Sequence, residues 1–306
     1  MLKPLFLHRK YFKFMRQLIF IALISFVLGA TTLCAQVSMG SLSLPAQPSK
    51  TTPIDKVQFN AQYEMVFVQD TSNPEQITEE TMMLKVGEKS SQFYSYTRFV
   101  TDSLLRIQLA QSGGMIRREG QPGGPSNQGG QINYQIFKNY PTGKVTTLER
   151  IGPSQFRCEE ANECPEWEIS SDTMTILSHL CYKATGRFKG RDYAVWFTPD
   201  IPRSEGPWKL CGLPGLILYA EDSQKHFVFE CTGLINAQTD EMIQYGADNY
   251  EPVSRQALNR TYERFAADPI GYITSSSPNV QIMMRGPDGA IANPKNLPYN
   301  PIELSE

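Results

Sequence analysis

Histidine and net positive charge are both scarce in this sequence. It has 3 histidines in 306 residues, and its 29 Lys and Arg are outnumbered by 31 Asp and Glu, which gives a formal net charge of −2. So few imidazoles argue against a histidine-based metal site or a relay of histidines. Without an excess of positive charge, we expect no nucleic-acid partner. The composition is otherwise 41% hydrophobic and 20% charged, which is typical of a globular protein with a core.

Common catalytic motifs are also absent. The sequence contains no Gly-x-Ser-x-Gly, no His-Glu-x-x-His and no Gly-x-x-x-x-Gly-Lys. His179 and His226 adjoin predicted strands, and a hydrolase or thiol enzyme using either histidine with Cys181 is the alternative that we keep open. The acidic pair Glu159 and Glu160 is predicted to lie in a solvated turn. We therefore predict a non-catalytic protein with no cofactor and no metal.

Residues 1–35 have the pattern of a secretory signal peptide. Basic residues precede an apolar run over residues 18–30, and Cys34-Ala35-Gln36 follows. The run is shorter than the roughly 20 residues that a transmembrane helix needs. We predict cleavage after Ala35, with acylation of Cys34 as the alternative. All charged residues in this segment are basic, so the remainder of the chain is more acidic than the whole.

The cysteines are interpreted through this expected secretion. Beyond Ala35 the sequence has Cys158, Cys164, Cys181, Cys211 and Cys231. An oxidising compartment would allow two disulfides and one free thiol. Cys158 and Cys164 close a short loop and are the pair that we expect to form a disulfide. The other three supply at most one more bridge, and the alternative for them is burial as free cysteines on strands.

The pattern along the chain favours one β-rich domain over residues 56–270. Residues 36–55 are polar and are predicted to form a flexible leader. Alternating apolar residues predict strands from Val57 onward, including a hairpin across Lys189-Gly190-Arg191-Asp192. Its second strand is apolar on both faces, which is typical of a central strand.

Three other segments complete this organisation. Residues 113–130 are rich in Gly and predict a mobile surface loop. Residues 254–267 predict a late helix, with Ser254 as the N-cap and Leu258, Tyr262 and Phe265 along one apolar stripe. Residues 271–306 are predicted to form an extended tail.

The segment between Trp196 and Leu218 is the most informative. It has Pro199, Pro202, Pro207 and Pro214, which fix φ, remove backbone donors and so forbid a continuous strand. Its glycines allow positive φ or a close backbone approach around Pro214. We predict a stiff connection between two strands.

This segment contains a family motif. Gly212-Leu213-Pro214-Gly215-Leu216-Ile217 resembles the motif for which the GLPGLI family of secreted bacterial proteins is named. The resemblance extends upstream through Trp196-Phe197-Thr198-Pro199 and Gly206-Pro207-Trp208-Lys209, and downstream to Tyr299-Asn300-Pro301-Ile302-Glu303-Leu304. Cys211 and the Gly-rich loop look like departures from the family pattern.

The resemblance implies a secreted protein of the Gram-negative envelope, in the periplasm or at the outer-membrane periphery, with no established activity. The order of elements is also remotely similar to periplasmic lipoprotein-carrier folds. We therefore predict a mainly β (α+β) fold, with a single curved antiparallel sheet or half-barrel and a packed helix, although fold analogy alone implies no function.

Two roles follow for a non-catalytic envelope protein. It could bind or carry an apolar ligand in a concave sheet, or dock on an outer-membrane transport protein. The candidate binding residues are Trp196, Trp208, Leu213, Pro214 and Gly215, with Trp208 expected to be accessible. The alternative is that residues 212–217 form a fixed corner that closes the sheet.

Overall fold

A computed structural model describes residues 50–111, 131–276, 284–285, 291–292 and 295–304. The predicted signal peptide, most of the predicted leader and the predicted Gly-rich loop lie outside these residues. No helix in the described ranges is both long enough and apolar enough to span a membrane.

Strands account for most of the regular structure. They are β1 (Thr52–Val68), β2 (Ile77–Gly87), β3 (Ser91–Ser95), β4 (Tyr134–Lys138), β5 (Lys144–Ile151), β6 (Ser154–Ala161), β7 (Glu168–Ile176), β8 (His179–Phe188), β9 (Arg191–Thr198), β10 (Leu216–Asp222), β11 (Phe227–Asn236), β12 (Met242–Tyr245), β13 (Glu251–Val253), β14 (Met284–Arg285) and β15 (Ile291–Ala292). The helices are α1 (Tyr96–Gln111), α2 (Arg255–Ala267) and α3 (Pro269–Ser276).

Thirteen of these strands form one large, open, curved sheet, and β14 pairs with β15 in a separate two-stranded sheet. The order of the large sheet is β13-β6-β5-β4-β3-β2-β1-β11-β10-β9-β8-β7, with β12 paired to β1, which makes 13 strands. Neighbouring strands are antiparallel, except that β13 runs parallel to β6. The prediction of a mainly β fold built on a curved, largely antiparallel sheet is confirmed. Strand β9 lies between β10 and β8, inside the sheet.

The main core covers one face of the sheet. Alternation along β1 places Tyr63, Met65 and Phe67 on this side, which we call the inner face. They belong to the same buried cluster as Trp208 and Leu210 from the segment between β9 and β10. The inner face is thus packed with side chains of the chain itself.

Smaller clusters extend the core. Val57, Phe137, Leu148, Ile243 and Ala247 pack together where β12 pairs with the first part of β1. A third cluster lies under α2 and α3 and has the buried residues Ile151, Phe156, Cys158, Leu258 and Tyr272. Helix α2 begins after Ser254, whose side chain accepts a hydrogen bond from the Ala257 amide, as the capping pattern predicted.

The extended tail predicted from residue 271 is wrong for its first turns, because α3 continues to Ser276. The Asp268-Pro269 pair ends α2 and also starts the next helix. Proline at the first helical position is preorganised for helix, and the Asp268 carboxylate accepts a hydrogen bond from the Gly271 amide at 3.0 Å. Tyr272 is then buried against Phe265, with ring centroids 5.7 Å apart.

Candidate functional site

The family motif lies in the connection between β9 and β10, residues 199–215, which we call the crossing. Trp208 is 1% exposed, so the expectation that it is accessible is wrong. Its ring contacts Phe188, with centroids 5.7 Å apart, and Tyr193 at 6.2 Å. The residue adopts a φ of +52°, in the left-handed region that non-glycine residues rarely occupy.

The other motif residues are mostly buried as well. Leu213, Leu216 and Ile217 belong to the inner-face cluster. A Cβ added to Gly215 would lie 2.0 Å from the carbonyl oxygen of Thr198, so only glycine allows this close approach. Gly212 has a φ of +95°. The motif residues therefore form a corner that joins β9 to β10 and packs under these strands.

Trp196 and Pro214 are the predicted binding residues that stay accessible. Pro214 is exposed and Trp196 is half-buried. In β9, Trp196 alternates with the buried Val195 and Phe197 and lies opposite Tyr219 of β10. The structure therefore does not bring the five predicted binding residues together on one surface.

A buried lysine holds the crossing on the sheet. The Lys138 side chain of β4 is 2% exposed, and its Nζ lies 2.5 Å from a Glu205 carboxylate oxygen. The same ammonium donates hydrogen bonds to the carbonyls of Gly206 at 2.8 Å and Leu210 at 3.3 Å. A buried charge needs such partners. Nothing in the sequence around Lys138 signals this role, since its partners lie more than sixty residues away.

A second group of charges joins the crossing to β6 and α2. Glu160 Oε2 accepts hydrogen bonds from Lys209 Nζ at 2.6 Å and from Arg255 at 2.6 Å. Burial alone would raise the pKa of Glu160, but the Arg255 hydrogen bond and the Lys209 charge lower it to about 2. The prediction that Glu160 lies in a solvated turn is wrong, since Lys209 and Arg255 approach it from distant parts of the chain.

A buried carboxyl lies beside these charges. Glu149 of β5 accepts a hydrogen bond from the Tyr262 hydroxyl of α2. Burial raises the pKa of Glu149 to about 7. Tyr134 of β4 is the cross-strand neighbour of Glu149, and its hydroxyl has no hydrogen-bond partner among the described residues. Burial raises the pKa of Tyr134 as well, so this hydroxyl stays protonated.

The disulfide predicted between Cys158 and Cys164 is wrong. Cys164 is bonded to Cys211 of the crossing, whereas Cys158, Cys181 and Cys231 are free and buried. Strand β6 continues to Ala161, so the extended backbone carries Cys158 away from Cys164. The side chain of Cys158 packs in the cluster under α2. The bridge ties the β6–β7 connection to the crossing.

An open groove of about 960 Å³ lies beside this disulfide. Its walls are the β6–β7 connection, the β8–β9 hairpin and the turn after β10. Trp167 is half-buried in the groove, and its indole Nε1 donates to the Cys211 carbonyl at 2.7 Å. The indole and the disulfide hold one wall of the groove in place. No local sequence pattern predicts this groove, because its walls come from separate segments.

Acidic side chains predominate in the groove lining, and four of the six have basic partners. The lining includes Glu163, Glu166, Glu168, Asp192, Glu221 and Asp222, against a single basic residue, Arg187. Arg187 pairs with Asp192 at 3.2 Å, and Glu163 pairs with Lys189 at 2.9 Å. Glu166 and Glu168 are exposed and have no ion-pair partner in the described part of the chain.

The residues of the enzyme alternative are not arranged for thiol catalysis. His179 Nδ1 lies 3.0 Å from Asp200 Oδ2. The Cys181 thiol donates to the backbone carbonyl of His179 at 3.6 Å, and burial raises its pKa to about 11. His226 precedes β11 at the opposite end of the antiparallel strands. Within the described ranges, no three His, Cys, Asp or Glu side chains are grouped as metal ligands.

The chain matches the family described as "Protein of unknown function (Porph_ging)" over residues 189–219. This stretch runs from the β8–β9 turn through the crossing into β10. Over these residues, the match supports a resemblance to a bacterial family of unknown function. No curated protein matches this chain.

Among solved structures, the chain is similar to two with the titles "Structure of PNGF-II in P21 space group" and "Structure of PNGF-II in C2 space group". Each is 13% identical, with TM-scores of 0.42 and 0.41. The match covers 66% of this chain and 32% and 31% of theirs, so this chain spans about a third of those proteins. A similarity this weak carries no functional argument.

Proposed function

We propose that this chain is a non-catalytic protein of the Gram-negative cell envelope that docks on a partner protein through the acidic groove. The observation that carries the proposal is a contrast between two concave regions. The inner face of the sheet is occupied by the protein's own side chains, whereas the groove beside the Cys164–Cys211 disulfide is open.

The packed inner face favours docking over the carrying of an apolar ligand. A carrier needs an apolar cavity among its side chains. Here Trp208, Leu210 and Leu213 from the crossing belong to the same buried cluster as the sheet residues that would line such a cavity. For an acyl chain to fit, the crossing would have to leave the sheet. That movement would break the buried ion pair between Lys138 and Glu205.

The groove fits an extended, basic segment of a protein partner. Glu166 and Glu168 supply negative charge that has no partner within the described chain. Trp167 lies between them in sequence and offers an aromatic ring to a lysine or arginine side chain. One wall is fixed by the disulfide and by the indole hydrogen bond, so little conformational entropy is lost on binding.

The envelope location in this proposal rests on two features. Residues 1–35 have the pattern of a signal peptide. The Cys164–Cys211 disulfide is of the kind that persists in an oxidising compartment. Within this compartment, the partner that we propose is an outer-membrane transport protein with a basic extended segment.

The test uses the full chain and two fluorescent peptides. One peptide alternates lysine and tyrosine over ten residues, and the other carries glutamate in place of lysine. Fluorescence anisotropy should show binding of the lysine peptide, weakened by salt, and none of the glutamate peptide. The double variant Glu166→Gln, Glu168→Gln should weaken binding roughly tenfold, since two exposed charge contacts are each worth up to about 1 kcal/mol.

The matched control is the double variant Glu75→Gln, Glu79→Gln. Both residues are exposed and precede or lie in β2, outside the groove lining. This control should bind the lysine peptide as the unaltered protein does. Equal weakening by both double variants, or failure of the lysine peptide to bind, would contradict the proposal.

A further inference from the structure

Residues 299–304 lie across the protein as a segment that we call the strap. It forms no strand or helix, yet it contacts β1, the β8–β9 hairpin, the crossing and α2. Asn300 Nδ2 donates to the Val68 carbonyl at 2.7 Å, and the Leu304 amide donates to the Lys189 carbonyl at 3.0 Å. A segment without secondary structure is thereby bound along its length by other elements.

Arg191 of β9 is the centre of this contact. Its side chain is 3% exposed. Its guanidinium donates to the Ile302 carbonyl at 2.9 Å, the Pro301 carbonyl at 2.6 Å and the Asn300 side-chain oxygen at 2.9 Å. One side chain thus recognises three consecutive residues of the strap, two of them through the backbone.

Three side chains of the strap contact different parts of the protein. Glu303 lies 2.6 Å from Lys209 Nζ and 3.5 Å from Arg255. The Tyr299 ring stacks on Tyr262 of α2, with centroids 5.3 Å apart and planes 8° apart. Ile302 packs against the main core. The sequence of the strap therefore matters to the contact as well as its backbone.

The hairpin leaves space for the strap. A Cβ added to Gly190 would lie 2.7 Å from the Cβ of Leu304. The absence of a side chain at Gly190 lets Leu304 approach the turn. The β8–β9 turn therefore accommodates the strap as well as connecting two strands.

The basic groups that hold the strap have further partners in the rest of the protein. Arg191 pairs with Asp222 of β10 at 3.0 Å. Lys209 and Arg255 both pair with Glu160 of β6 at 2.6 Å. These ion pairs would hold the three basic side chains in place without the strap. The surface that binds the strap is therefore preorganised, which lowers the entropic cost of binding a peptide.

From these contacts we propose that this surface is a peptide-recognition site. Its resident ligand is the strap, and it accepts the same segment when a second copy of this chain supplies it. The ligand class is an extended acidic peptide with the order Tyr-Asn-Pro-Ile-Glu-Leu. This site differs from the acidic groove in its binding groups, because Arg191, Lys209 and Arg255 are not among the groove-lining residues, although Asp222, the partner of Arg191, is.

The test uses the full chain with a site-specific protease sequence inserted between residues 276 and 295. After folding and cleavage, a fluorescent synthetic peptide of residues 295–306 is added. We expect it to displace the cleaved segment and to bind, measured by anisotropy and native mass spectrometry. Uncut protein should bind it at least a hundredfold less well, because the tethered strap competes at a high effective concentration.

The contacts are tested by changing the peptide and not the protein. The result therefore does not depend on whether an altered protein folds. The peptide with Asn300→Ala and Glu303→Gln should bind at least tenfold more weakly than the unaltered peptide. Equal binding of these peptides, or no exchange while the cleaved protein keeps its circular dichroism spectrum, would overturn the proposal. Unfolding on cleavage would also overturn it, since the site would then not exist without the strap.

Discussion

The guanidinium of Arg191 lies 3.0 Å from the carboxylate of Asp222, and both side chains are almost completely buried, at 3% and 2% exposed. Asp222 also accepts a hydrogen bond from the Phe227 amide at 2.7 Å, which ties the ion pair to the β10–β11 turn. The pair thus joins the β8–β9 hairpin, the neighbouring hairpin and the strap. None of the five residues that the sequence suggested for binding takes part in this ion pair.

This ion pair gives the first prediction. Asp222→Asn leaves Arg191 buried without its carboxylate, and we expect the free energy of unfolding to fall by about 3–5 kcal/mol. Urea denaturation followed by circular dichroism measures the change. The control is Asp192→Asn, because Asp192 pairs with Arg187 on the same hairpin with side chains 63% and 69% exposed. That change should stay within about 1 kcal/mol, and equal losses in the two variants would refute the prediction.

Glu149 gives a prediction for pH dependence. Its pKa in the folded protein is about 7, above its ordinary value of 4.5, because it is buried. The unfolded chain therefore releases this proton at lower pH than the folded protein does. The contribution of Glu149 to stability is lost as pH rises from 4.5 to 7. In the unaltered protein this lowers the free energy of unfolding by roughly 3 kcal/mol across that window, and Glu149→Gln should remove the decrease. Denaturant unfolding at several pH values compares the two proteins, and parallel profiles would refute the prediction.

Glu160 should behave in the opposite way. Its pKa is lowered to about 2 against an ordinary 4.5, despite its burial, by Arg255 and Lys209. Its contribution to stability is therefore present above pH 4.5 and is lost as pH falls toward 2. Glu160→Gln should destabilise the protein at pH 7 and have less effect at pH 2.5, measured by the same unfolding experiment. A loss that is the same at both pH values would show that packing alone is responsible.

The disulfide gives a prediction about connectivity and stability. Peptide mapping under non-reducing conditions should recover Cys164 joined to Cys211. The double variant Cys164→Ser, Cys211→Ser should be less stable by about 4 kcal/mol, since the bridge closes a loop of 47 residues. Cys158→Ala is the control and should leave the mapped bridge unchanged. Recovery of a peptide joining Cys158 to Cys164 would contradict the structure.

The last prediction concerns the crossing. Trp208→Ala removes a side chain that is 1% exposed, and we expect a loss of about 3–5 kcal/mol in unfolding free energy. Pro214→Ala, at an exposed position of the same motif, should change stability by less than about 1 kcal/mol. A thermal melt compares the two variants with the unaltered chain. An unchanged melting temperature for Trp208→Ala would mean that Trp208 is not a core residue.

Much of the fold is encoded locally. Period-2 alternation in β1, the hairpin turn at Gly190 and the Ser254 cap each depend on residues close together in sequence. These features therefore predict strands, a hairpin and a helix without any tertiary contact. The prolines of the crossing likewise determine its stiffness, because proline fixes its own φ whatever its surroundings.

Only the tertiary structure decided which side chains meet. The partner of Cys164, the burial of Trp208 and the ion pair between Glu160 and Arg255 all join segments that are far apart in the chain. Local patterns set backbone conformation, whereas these contacts depend on the curvature and strand order of the whole sheet. The sequence alone therefore determined the class of fold and the expected export of the protein. The sheet determined that the inner face is filled, and that the open groove and the strap site lie where separate segments converge.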